Sequence, residues 1–73
     1  MSPKHKVYSG AEAVEKFQRA GWRIARQRGL HVMLVKTGYL YTLAVPVHKE
    51  LGVGLIRKLL QQAQLSAREF DAL

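Results

Sequence analysis

"RQRGLHVMLVK", residues 26–36, decides how the chain is read. Gly29 separates two runs of different character. Before it, "WRIARQR" (22–28) puts Trp22 and Ile24 on one side and Arg23 on the other, the alternation of a half-buried strand. After it, "HVMLVK" (31–36) is an apolar run of strand length, rich in Leu and β-branched residues. A glycine between two such runs marks a turn or bulge. His31 therefore stands at the mouth of a strand, just past Arg26 and Arg28.

Working outward, Thr37-Gly38 predicts a turn that closes a hairpin. "YLYTLAV" (39–45) is then a third strand, ended by Pro46, which cannot donate to a ladder. Upstream, Ser9 and Glu12 have the spacing of a capping box, in which each side chain satisfies a free backbone N–H of the other residue. Ala13, Val14, Phe17 and Ala20 follow at helical spacing, and Gly21 stops the run, so a helix is expected over 10–20. Downstream, "HKELGVG" is a connection. Leu55, Ile56, Leu59, Leu60 and Ala63 form the apolar stripe of a second helix. Ser66 and Glu69 repeat the capping grammar before a short terminal turn whose Phe70 and Leu73 close the core. Residues 1–8 read as a basic tail and 9–73 as one domain. Two short connections make a meander the simplest sheet. The expected fold is α+β: a three-stranded antiparallel sheet with two helices on one face.

A chain of 73 residues has room for one domain and buries only ~60% of its unfolded surface, which argues against a spacious cofactor pocket. It has no cysteine, so disulfides and thiolate metal sites are excluded. No run approaches the ~20 apolar residues of a membrane span, and no apolar signal core follows the basic N-terminus. A cytoplasmic protein without membrane contact is expected. Twelve Lys and Arg face five Asp and Glu, for a formal charge of +7. On so small a domain this favours a polyanionic partner, and RNA or DNA fits best because no single basic amphipathic helix carries the charge.

Few residues offer chemistry. His5, His31 and His48 lack metal-ligand spacing, and five acids are too few for paired-carboxylate work, so no metal or cofactor is expected. A lone strand histidine is ordinarily structural. His31 differs in its position after Gly29, at a sheet end, with Arg26, Arg28 and Lys36 close in sequence. Imidazole exchanges protons near neutral pH, and adjacent cations stabilise phosphate charge. The combination suits metal-independent RNA cleavage, with a base activating a 2′-hydroxyl. Arg57 and Lys58 lie opposite the Leu stripe of the second helix. They form a solvated face on the plain reading and a phosphate contact on the functional one. Trp22 reads as core, whereas parity leaves Tyr39 and Tyr41 unassigned.

With its "AGWRIARQRGLH", "VPVH", Glu50-Leu51 with Gly54, and "LIRKLLQQAQLSAREF" in order from Ser9 to Leu73, the chain resembles the HicA-type mRNA interferase toxins. The resemblance implies a double-stranded-RNA-binding-like α-β-β-β-α fold. It makes Gly29-Leu30-His31 the family's G-[SG]-H motif with His31 catalytic. It matches Pro46-Val47-His48 to a P-x-H element, and Gly54 to the glycine that opens the second helix. His48 is then a candidate second proton donor, set against a structural role in fixing the turn. Leu30 replaces a small or hydroxyl residue, Leu55 replaces a Thr, and the connection between His48 and Glu50 is about one residue short. The implied activity is that of a type II toxin ribonuclease acting on mRNA, either monomeric or held by a HicB-type antitoxin. The two leucines keep open an alternative, a catalytically weakened or inactive RNA-binding module of the same fold.

Overall fold

A computed structural model describes residues 7–73. His5 and most of the expected tail lie outside the described residues. The chain runs α1 (Gly10–Arg19), β1 (Arg23–Arg28), β2 (His31–Val35), β3 (Leu43–Pro46), α2 (Val53–Ala63) and α3 (Ala67–Asp71). The three strands form one antiparallel meander in the order β1-β2-β3.

Both capping boxes form. The Glu12 N–H donates to Ser9 Oγ at 3.1 Å and the Ser9 N–H to Glu12 Oε1 at 2.9 Å, and Ser66 and Glu69 repeat the exchange at 3.0 and 2.9 Å. The bonds from Ser66, backbone first, hold the Glu69 carboxyl below its ordinary range. Helix α1 ends where Gly21 takes φ +99°, which turns Trp22 back so that its N–H reaches the Phe17 carbonyl at 3.0 Å.

The β1–β2 hairpin closes with Arg28 paired directly to His31. Only Gly29 and Leu30 lie between them, and Gly29 alone has positive φ, +57°. Positive φ at the first central residue is the signature of a type II′ turn, whose twist suits adjacent strands. The second connection differs from expectation. The third strand starts at Leu43, not Tyr39, and Lys36 lies beyond β2. The Tyr39 N–H donates to the Lys36 carbonyl at 3.1 Å, and within that turn only Gly38 has positive φ, +88°. This is a type II pattern, which splays strands rather than pairing them. Tyr39 instead packs edge-on against Trp22 at 5.2 Å.

Val32 and Leu34 of β2 face the helices together with Leu43 and Val45 of β3, and Phe17, Trp22, Leu59, Leu60 and Ala63 complete the core. Phe70 of α3 fills one end, 1% exposed, between Phe17 and Tyr8 with ring centroids at 4.9 and 5.0 Å. Tyr8, expected in the tail, is itself core, and its carbonyl accepts from the Leu51 N–H at 2.8 Å. Lys16 fastens α3 from α1. Its ammonium donates to the carbonyls of Phe70, Asp71 and Leu73 at 3.2, 3.2 and 2.9 Å, at and just past the C-terminus of α3, where a cation also suits the helix dipole. Gly10 brings α1 onto β3. Its N–H donates to the His48 carbonyl at 2.9 Å, and a Cβ there would run into the Pro46 carbonyl oxygen.

Candidate functional site

Strand parity places His31. Val32 and Leu34 are buried on the helix side, so His31, Met33 and Val35 lie on the opposite, open face of the sheet. Residues directly opposite across a ladder share a face. Arg28 therefore stands beside His31, Arg26 beside Met33 and Arg23 beside Val35. Across the other ladder, Pro46 flanks His31 and Ala44 flanks Met33. Opposed Cβ atoms lie about 4.5–5.5 Å apart and diagonal neighbours about 7–8 Å, so Arg28 and Arg26 both have the reach to approach an anion at the imidazole. His31 is exposed, as is every residue of β1.

Arg23 is absent from the set of basic residues picked out around His31 in the sequence. Arg23, Arg26 and Arg28 are spaced three and then two apart, so a regular strand would turn Arg23 to the other face. The ladder instead slips by one residue between Ile24 and Arg26, leaving Ala25 unpaired. That β-bulge returns Arg23 to the face of the other two and sends Ile24 to the helix side.

The remaining candidates are placed elsewhere. Lys36 is at the far end of β2 from His31, about 16 Å along the strand at ~3.3 Å per residue. Its ammonium donates to the Ala20 carbonyl at 2.7 Å and lies 4.7 Å from the Tyr39 ring centre, so it ties α1 to the sheet end. Arg57 and Lys58 are exposed in the helix layer, on the other side of the sheet from His31. Arg57 borders a groove of about 620 Å³ that Leu51, Ile56, Phe70 and Arg68 also line. Lys58 stands beside Tyr41, Gln61 and Gln62. The structure thus separates Lys36, Arg57 and Lys58 from the histidine that Arg26 and Arg28 accompany.

His48 is exposed and follows Pro46, the cross-strand partner of His31, by two residues, which puts both histidines at one end of the sheet. Its backbone carbonyl holds the Gly10 N–H. Leu30, 62% exposed, sits in the turn between Arg28 and His31, and its carbonyl accepts from the Val47 N–H at 2.6 Å. Gly54 is the second residue of α2, after Val53, and a Cβ there would meet open space. Trp22, 2% exposed, belongs to the core.

Charge divides by layer. Glu12 and Glu15 are on α1, Glu50 precedes α2, and Glu69 and Asp71 are on α3. These are all five acids of the chain. The open sheet face carries none, and no hydrogen bond or ion pair engages the side chain of Arg23, Arg26 or Arg28 among the described residues. Among those residues no three His, Asp or Glu side chains converge as a metal site would need, and no helix is long and apolar enough to cross a membrane.

These features define a class: a small α+β domain with helices on one side of its sheet and, on the other, a histidine in register with unpaired arginines. The family model described as HicA toxin of bacterial toxin-antitoxin matches residues 10–65, and the chain belongs to that family. No curated protein matches it. The matched span runs from the start of α1 through all three strands and α2, with α3 beyond it.

Proposed function

We propose that this toxin is an endoribonuclease that cleaves mRNA without a metal, with His31 as general base. The reading rests on one observation above all: an exposed imidazole set directly across the ladder from Arg28, with Arg26 on the diagonal, on an acid-free face. An imidazole nitrogen takes the proton of a ribose 2′-hydroxyl, and the freed oxygen attacks the adjacent phosphorus. The P–O5′ bond breaks, leaving a 2′,3′-cyclic phosphate on one fragment and, once a proton reaches the leaving oxygen, a 5′-hydroxyl on the other. Arg28 and Arg26 offset the charge that builds on the phosphoryl oxygens, with forked donors that match two oxygens at once. His48, at the same sheet end with its ring exposed, is the candidate for the second proton. A HicB-type antitoxin would neutralise the toxin by covering this face, and its approach would gain from the toxin's +7 charge.

The test is incubation of the full chain with a long single-stranded RNA in the presence of a chelator, beside His31→Ala. Cleavage leaving cyclic-phosphate ends, and its loss in His31→Ala, is the expected result. Equal cleavage by both proteins would remove His31 from the mechanism. A second reading, RNA binding without scission, is favoured by Leu30, an exposed apolar side chain that donates no hydrogen bond beside His31. Binding without cleavage that Leu30→Ser converts to cleavage would select it.

A further inference from the structure

Resting on the RNA reading above, we propose that the open sheet face is a three-rung guanidinium ladder that seats consecutive phosphates of one extended strand without reading its bases. The rungs are Arg28, Arg26 and Arg23, opposite His31, Met33 and Val35. Those partners are two residues apart on β2, so the rungs step by about 6.6 Å at ~3.3 Å per residue. That step suits one nucleotide of an extended backbone. The ladder is about 13 Å long, much shorter than the ~16 base pairs over which duplex-binding domains of this architecture track two minor grooves.

Three features make the ladder a site rather than scattered surface charge. The bulge at Ala25 is what brings Arg23 into line, against the parity of its spacing. All five acids lie off this face, so the mutual repulsion of three aligned cations goes unrelieved within the domain. The floor beside the rungs is the half-buried Met33, Val35 and Ala44. It has no aromatic ring to stack a base and no amide to read a base edge, which leaves phosphate contact as the source of affinity. His31 at the last rung then receives whichever phosphate the ladder delivers, and the arginines rather than the base sequence set which bond lies at the imidazole. Arg23, two rungs away, is a positioning residue.

The probe is a labelled 2′-O-methyl oligouridylate, which cannot cleave itself, titrated by anisotropy against the full chain over a range of salt. Each phosphate contact contributes a slope of ~0.7 in log K against log salt, so losing one costs about fivefold at 0.1 M. Arg23→Gln should show that loss, and Arg23→Lys should recover most of the slope. Arg68→Gln, an exposed cation on α3, should change neither. The decisive variant exchanges neighbours, Arg23→Ile with Ile24→Arg. It keeps charge and composition but moves the cation to the helix side, where Ile24 is 47% exposed and replaceable. A fivefold loss in that variant supports the ladder. Wild-type affinity would overturn it and leave the arginines as charges that keep the edge strand β1 from pairing with other chains. A tenfold preference for oligouridylate over oligoadenylate would also overturn it. Because the probe cannot be cut, these outcomes are independent of whether His31→Ala abolishes cleavage.

Discussion

Replacing Gly10 by alanine tests the close approach of α1 to β3. A Cβ on Gly10 would strike the Pro46 carbonyl oxygen and stand 2.9 Å from Val47 Cα and 3.0 Å from the Pro46 carbonyl carbon, where ordinary contact begins at 3.4 Å. All three atoms are backbone, so no side chain can swing aside. The helix start must retreat, stretching the 2.9 Å bond from Gly10 to the His48 carbonyl. Overpacking of this kind costs about 1–3 kcal/mol, and the weakened hydrogen bond adds about 1. The lower entropy of the unfolded alanine chain returns about 0.4–1 kcal/mol. The net is about 2 kcal/mol, or about 8–16 °C in Tm for a domain of this size. Gly54→Ala is the control. It faces open space within α2 and should stabilise by about 0.5–1 kcal/mol. Urea unfolding followed by fluorescence of the buried Trp22 reads both. If Gly10→Ala matched or exceeded wild type, as Gly54→Ala should, the close approach of α1 to β3 would be refuted.

Gly29→Ala places a Cβ at φ +57° and should cost about 1–2 kcal/mol by the same assay, although nothing crowds the position. Lys16→Met removes the cation from the three terminal carbonyls and should cost about 1 kcal/mol. Amide exchange should accelerate in α3 before it does in the sheet, and uniform acceleration would argue against a local fastening. The lowered Glu69 carboxyl stabilises fully above the unfolded glutamate pKa of ~4.3, and that support fades as pH falls through the folded value. Glu69→Gln should therefore flatten the acid limb of the stability curve around α3, measured by exchange between pH 5 and 2 (about the range of carboxylate titration), and an unchanged limb would refute the assignment.

Local grammar was legible where a side chain and its partner are near in sequence. Ser9 with Glu12, Ser66 with Glu69, Gly21 as a stop and the Leu59–Leu60–Ala63 stripe all formed as expected, because a cap or an amphipathic stripe is decided within a turn or two of chain. Tyr39 failed as a strand residue for a nonlocal reason. Its packing on Trp22 and the type II geometry at Gly38 draw it from the ladder, and apolar alternation does not encode turn type. In the sequence Gly10 is simply where a helix begins, since nothing nearby announces that β3 will pass against it.

The candidate site divides the same way. Composition and spacing alone determined a basic α+β domain with a histidine at a strand mouth beside Arg26 and Arg28, because neighbours across a two-residue turn are neighbours in space. Only the tertiary structure decided that Lys36 turns to Ala20, that Arg57 and Lys58 belong to the other layer, and that Arg23 joins the histidine face. Each of these depends on a bulge, a long-range hydrogen bond or the choice of sheet face. All three are settled by packing between distant segments, which a linear pattern does not carry.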